Sequence, residues 1–194
     1  MTVMADRKPR MTVDEFEELA AAAPETVRLE LVGGRIGQRK MADGDHGAII
    51  MWLVRQCMAH RPDLDLDTMQ GLRIERYRTG RARPDGSLAP VAHFAGQGEW
   101  AEPDGVLMTV EVTSYDADTG PRDRVEKPAA YAEAGIPVYL LIDRDSHLTT
   151  VHSAPDVLKG VYRHRDVTPF GDRVALPEPV GFAFETEIFK EYVR

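Results

Sequence analysis

The chain has 194 residues, 43% of them hydrophobic, which is enough to build a core and too many for a disordered segment. Its formal net charge of −8 excludes a broadly basic nucleic-acid surface, because non-specific DNA binding rests on lysines and arginines that neutralise phosphates. The single cysteine, Cys57, rules out an internal disulfide framework, and no apolar run reaches the ~18 residues of a membrane span.

Residues 1–10 are polar and show no hydrophobic signal segment, so they are expected to form a flexible arm on a cytoplasmic, single-domain protein spanning residues 11–194. Residues 12–23 predict a helix. Thr12 and Glu15 have the spacing of a capping box, Val13, Phe16, Leu19 and Ala20 recur at helical period, and Pro24 closes the segment. Residues 27–32 alternate as a strand, with Val27, Leu29 and Leu31 on one face and Arg28 and Glu30 on the other. Gly33-Gly34 is a hairpin turn signal, and residues 35–39 form the return strand.

Residues 43–45 offer a cap for a second helix, whose apolar face carries Ile49, Ile50, Leu53, Val54 and Cys57 and which ends near residues 60–62. Residues 64–69 and 72–77 predict strands around Gly71, residues 81–91 include a short strand, and residues 92–105 form a loop rich in Gly and Pro. Residues 106–112 predict a central strand, apolar on both faces. A polar loop, a helix over residues 123–134 capped by Gly135, and an apolar strand over residues 138–143 follow. Strand, helix and strand over this length predict a parallel, right-handed βαβ unit. Residues 148–152, 161–165 and 173–176 predict antiparallel strands, and residues 182–189 pack the end of the chain.

Charged residues stand where a core is expected. Glu111 lies on the predicted central strand, on the face of Leu107 and Thr109. A carboxylate there is costly without a partner. A salt bridge to Arg73 or Lys127 would satisfy it, and so would a divalent metal. Asp85 either makes a Pro-Asp-Gly turn or joins Glu111 as a metal ligand. Two carboxylates from neighbouring strands with a backbone carbonyl give the all-oxygen set that Mg²⁺ or Mn²⁺ takes, leaving positions for water. A metal-bound water can attack a phosphodiester, and a lysine can steady the phosphate or the water as a point charge. Lys127, on the following helix, is the candidate, with Tyr131 four residues on and on the same face. Glu30 is either a solvent-facing strand residue or a further carboxylate of the site. His46, at a helix start, either caps that helix or contacts phosphate or a metal-bound water. Arginines cluster at Arg73, Arg76, Arg78, Arg81 and Arg83 and again at Arg122 and Arg124, as a local phosphate-binding patch or as a solvated strand face. No pairing of His or Cys suits structural zinc, and neither a phosphate-binding Gly-Lys-Ser/Thr loop nor a Gly-x-Ser-x-Gly elbow occurs.

The order of several fragments resembles the Uma family of proposed restriction endonucleases, a branch of the PD-(D/E)XK nuclease superfamily. The fragments are the N-terminal helix, Leu29-Glu30-Leu31-Val32-Gly33-Gly34, His46 at a helix start, Arg83-Pro84-Asp85, Glu111-Val112-Thr113-Ser114, Asp123-Arg124 with Glu126-Lys127, and Tyr131-Ala132 with Ala134-Gly135-Ile136-Pro137. The resemblance implies an α/β (α+β) restriction-endonuclease-like fold, a mixed β-sheet flanked by helices, here with extra antiparallel strands at the C-terminus. It implies a Mg²⁺- or Mn²⁺-dependent DNA endonuclease. Asp85, Glu111 and the Val112 carbonyl would be metal ligands, Lys127 the active-site lysine, Glu30 a further catalytic carboxylate, and His46 and Tyr131 accessory.

The sequence departs from the family pattern in four places. Thr113 stands where the wider superfamily has its lysine, Asp116 and Asp118 add acid near the site, Pro128 directly follows Lys127, and Val138 stands after Pro137 where a Glu is common. A homodimer is expected, because cutting both strands needs two sites. The other expectation is a non-catalytic DNA- or protein-binding regulator that keeps the fold. A third is a hydrolase of small phosphoesters.

Overall fold

The computed structural model describes residues 11–39, 43–74, 80–115 and 121–193. The expected N-terminal arm, Arg76, Arg78, Asp116 and Asp118 lie outside the described residues. Helix α1, Val13–Ala22, starts with the expected capping box: the Glu15 amide donates to Thr12 Oγ1 and the Thr12 amide donates to the Glu15 carboxylate. Phe16 is its buried residue. Strands β1, Arg28–Val32, and β2, Arg35–Arg39, form the predicted hairpin, with Glu30 opposite Gly37. Gly33 and Gly34 have φ of +58° and +72°, the left-handed conformation that this two-residue turn requires.

Helix α2, Gly44–His60, buries Ile49, Ile50, Leu53 and Cys57. Strands β3, Leu64–Asp67, and β4, Gly71–Ile74, follow, but they belong to different sheets. Asp67 explains the parting: its Oδ1 accepts the amides of Met69 and Gln70, which turns the chain away. The single short strand expected over residues 81–91 is two strands, β5, Gly80–Ala82, and β6, Gly86–Pro90. Pro84 has no amide hydrogen to continue a ladder, so Arg83-Pro84-Asp85 becomes the crossing from one sheet to the other. The expected loop over residues 92–105 contains a two-residue strand, β7, Trp100–Ala101, parallel to β4.

Strand β8, Met108–Val112, is fully buried. A π-helical turn, Arg122–Glu126, leads into helix α3, Lys127–Glu133. This differs from one regular helix over residues 123–134. Pro128 cannot donate back to Arg124, and the backbone widens so that the Lys127 amide reaches the Arg122 carbonyl instead. Strand β9, Val138–Asp143, then pairs with β8 in parallel, completing the predicted βαβ unit. Strands β10, Leu148–Asp156, and β11, Val161–Pro169, are longer than the sequence signals and extend the same sheet. Strands β12, Arg173–Leu176, and β13, Phe182–Glu185, make a separate hairpin, and a 3₁₀ helix, Glu187–Tyr192, ends the described chain.

The strands therefore form a six-stranded mixed sheet, ordered β11-β10-β9-β8-β6-β3, a five-stranded sheet, ordered β2-β1-β5-β4-β7, and the β12–β13 pair. One face of the six-stranded sheet meets α2. Met108, Val110, Val112, Val138, Leu140 and Ile142 pack there with Ile49, Leu53 and Cys57, and Phe184 and Phe189 close the layer. The opposite face carries Tyr139 and Leu141 against Ala130 and Tyr131 of α3 and against Leu72, Ile74 and Ala82 of the five-stranded sheet. Each of these large apolar side chains contributes about 1.5–3 kcal/mol on full burial. Strand β8 is not apolar on both faces as expected. Alternation sends Met108, Val110 and Val112 to the α2 side, and Thr109 and Glu111 to the α3 side. Among the described residues no helix is long and apolar enough to cross a membrane.

His152 of β10 lies between the rings of Tyr139 and Tyr162, at centroid distances of 5.6 and 5.7 Å. Burial, and then repulsion from Arg165, bring its pKa down to about 4 from an ordinary value of 6.5. The unfolded chain therefore takes up a proton between these values that the folded chain refuses, and stability falls as pH drops through that window. Urea midpoints at pH 7 and pH 4.5 test this: His152→Gln should lose less stability between the two than the parent chain does.

Candidate active site

The two sheets meet where Asp85 leaves the crossing segment, and the charged candidates collect at that seam. Strand alternation directs Glu111 towards α3, and the π-helical turn directs Asp123 and Lys127 back towards the sheet. Lys127 is 4% exposed and its Nζ lies 2.9 Å from Glu111 Oε1, 3.2 Å from Asp123 Oδ1 and 3.5 Å from Glu30 Oε2. Tyr131, one turn further along α3, donates its hydroxyl to Glu111 Oε1 at 2.8 Å. The Tyr139 hydroxyl donates to the Asp123 carbonyl and fixes the turn. Pro128 thus accompanies a lysine that is well placed against Glu111.

Glu30 is buried, not solvent-facing. Its Oε1 accepts from Arg122 at 3.2 Å and its Oε2 from the Arg83 amide at 3.3 Å. Gly37, opposite Glu30 on β2, makes room for this pair: a Cβ there would sit 1.3 Å from a terminal nitrogen of Arg122. Asp85 is buried as well. Its Oδ2 accepts from the Val112 amide at 2.8 Å and from His46 Nε2 at 3.0 Å, and its Oδ1 accepts from Arg39 at 2.8 Å. A carboxylate only accepts, so Nε2 of His46 carries the hydrogen of this bond. His46 Nδ1 is buried without a hydrogen-bond partner among the described residues. The cap of α2 holds His46 in place. The His46 amide donates to Asp43, and Asp43 is gripped by Arg144, a fully buried arginine whose guanidinium lies 4.4 Å from the centre of the Tyr115 ring.

All the sequence candidates, Asp85, Glu111, Lys127, Glu30, His46 and Tyr131, come together with the Val112 peptide. Asp123, Arg39 and Arg122 were not singled out as members of the site. The i, i+4, i+8 spacing of Asp123, Lys127 and Tyr131 carried the signal for the first. Among the described residues the expected arginine patch is solvated only in part, with Arg73 and Arg124 exposed and Arg81 and Arg83 buried. Arg81 and Arg83 are buried against Glu17 and Glu99, Arg73 pairs with Glu102 rather than Glu111, Arg122 pairs with Glu30, and Arg124 pairs with Asp143 and Asp145.

Four carboxylates, Glu30, Asp85, Glu111 and Asp123, thus face three fixed cations, Arg39, Arg122 and Lys127, and His46 hydrogen-bonds Asp85. The groups respond unequally. Burial works to raise the pKa of Asp85, but the hydrogen bond and attraction of His46, then Arg39 and Lys127, outweigh it and hold this carboxyl well below the usual range. Glu111 goes the other way. Burial raises it, Lys127 opposes, and repulsion from Asp123, Asp85 and Glu30 adds to the rise. Asp123 is raised for the same reasons. Burial would lower Lys127, but Asp123, Glu111, Glu30 and Asp85 together push it well above the ordinary lysine value, so it stays an ammonium. Burial foremost, then Glu111, raises Tyr131, which remains a hydroxyl donor.

The donor set suits a hard divalent cation. It offers carboxylate oxygens, a nearby peptide carbonyl at Val112 and more negative than fixed positive charge. Among the described residues no group of three His, Cys, Asp or Glu is arranged to hold a metal ion.

The α/β architecture is shared with a crystal structure from Anabaena variabilis ATCC 29413 described as "a putative nuclease belonging to DUF820". The two superpose with a TM-score of 0.68 at 17% identity, over 94% of this chain and 98% of that one. The fold is thus restriction-endonuclease-like, a mixed sheet flanked by helices. The profile of the Uma2 family, described as "Putative restriction endonuclease", matches residues 13–188, and the chain belongs to this family. No functionally curated protein matches the chain significantly.

Removing the ammonium strands buried carboxylates. Lys127→Met should cost about 3–5 kcal/mol in urea denaturation at pH 7. Without Lys127 the buried carboxylates, already raised in the parent, bind protons more tightly still, so the deficit should shrink as pH falls from 7 to 5. A deficit independent of pH would show that packing, not charge, is lost.

Proposed function

We propose that the chain is an endonuclease that hydrolyses DNA phosphodiester bonds with Mg²⁺ or Mn²⁺. The observation that carries this reading is the buried Lys127 ammonium against Glu111, beside an Asp85 that stays ionised. Membership of a family described as "Putative restriction endonuclease" supports the nucleic-acid substrate. Asp85 and Glu111, with the Val112 carbonyl, are the residues that would hold the cation. When bound, it supplies a more acidic water and neutralises charge developing on the phosphate.

The chain's own groups do the rest. Lys127 stays protonated through the neutral range, so it acts as a fixed positive charge towards the phosphate or the attacking water and not as a base. Glu30 and Asp123 keep that ammonium charged and in position. The Tyr131 hydroxyl fixes the carboxylate of Glu111, and His46 and the Val112 amide fix that of Asp85. A symmetric homodimer would present two such sites to the two strands.

A second reading, a non-catalytic regulator that keeps the fold, is favoured by one observation: each site carboxylate has a partner within the chain. Incubation of supercoiled and linear duplex DNA with Mg²⁺ or Mn²⁺ separates the readings. Cleavage by the parent that falls on the order of 10²–10³-fold in Asp85→Ala, Glu111→Ala and Lys127→Ala, with folding checked by circular dichroism, supports the nuclease. Equal cutting by parent and variants, or none by a folded parent, overturns it.

A further inference from the structure

The donors around Asp85 differ in how firmly they are held. Those on Oδ2 are fixed: the Val112 amide belongs to a fully buried strand, and His46 sits in the first turn of a capped helix. The donor on Oδ1 is not. Arg39 is the last residue of β2, the edge strand of the five-stranded sheet. Its side chain is 24% exposed, against 5% for Lys127 and 6% for His46. A long, flexible stem therefore carries a guanidinium from the rim of the pocket onto the outer oxygen of Asp85. The same guanidinium is attracted by Glu111 and Glu30.

A cation bound by Asp85 and Glu111 must approach a carboxylate oxygen to about 2.1 Å. With two fixed donors on Oδ2, Oδ1 is the oxygen whose donor is free to move, and a guanidinium at 2.8 Å stands in the way by contact and by charge. We infer that Arg39 is a stand-in for the metal, holding Asp85 Oδ1 until a divalent cation displaces it and then swinging to the pocket rim, where a substrate phosphate is its natural partner. The inference rests on the metal-site reading given above. It makes Arg39 a competitor of the cation, although it would help to hold the substrate.

Calorimetric titration of the full chain with Mn²⁺ alone tests this. Simple electrostatics predicts that removing any nearby positive charge tightens cation binding, so Arg122→Met, which removes a charge from Glu30 rather than Asp85, is the control. Arg39→Met should bind Mn²⁺ about tenfold more tightly than the parent, equivalent to about 1.4 kcal/mol, with a clearly smaller gain in Arg122→Met and no binding in Asp85→Asn. Arg39→Gln reads the same competition if the methionine variant folds poorly. A gain in the Arg39 variants no larger than in Arg122→Met, or no gain, overturns the stand-in role and leaves the metal site standing. No binding by the parent or by either Arg39 variant overturns both.

Discussion

Water is almost excluded from the centre of this fold, so its charges must be balanced by one another. The Lys127 ammonium is the pivot of that balance. Glu111 belongs to the six-stranded sheet, Glu30 to the five-stranded sheet and Asp123 to the π-helical turn, and one nitrogen lies within 3.5 Å of all three. The apolar contacts between the sheets supply attraction without direction. The ammonium supplies position, because displacing any of the three elements would leave a buried carboxylate unpaired. Arg122, lying over Gly37, brings a second cation to the Glu30 carboxylate.

Proline shapes both halves of this arrangement. Pro84 ends one ladder and passes the chain to the other sheet, which delivers Asp85 to the seam. Pro128 accompanies the wider turn that sets the Asp123 carboxylate against the Lys127 ammonium. In each case the ring removes a backbone donor at the point where a regular element would have carried the side chain elsewhere. The capped start of α2 serves the same end by a different route, since Asp43, clamped by Arg144, sets His46 against Asp85.

The sequence made local order legible. The capping box at Thr12, the Gly33-Gly34 hairpin, the apolar face of α2 and the parallel β8–β9 unit all follow from periodicity and turn chemistry within a few residues. The polar face of β8 was misread as apolar, although Glu111 shares its parity with Thr109. Assembly of strands into sheets was not legible. Strands β3 and β4 are neighbours in sequence and belong to different sheets, because an Asp67 side-chain turn separates them. The site's cations were hidden for a similar reason. Arg39 and Arg122 find their carboxylates 46 and 92 residues away, and no local pattern encodes such a partner. Gly37 was a clue, a glycine inside a strand that needed explanation. Resemblance to the Uma family brought Asp85, Glu111 and Lys127 together where spacing alone left several options open.

Because its carboxylates come from two sheets and its ammonium from a helix between them, the pocket is itself a junction. A chain with only one sheet formed holds half of the charges and none of their geometry. Glu30 would then lie on an open hairpin, and Asp85 would end a loose segment. The site therefore exists only where both sheets are in place. Any reactivity it possesses is withheld from a nascent or damaged chain, and completeness of the fold acts as the safety catch.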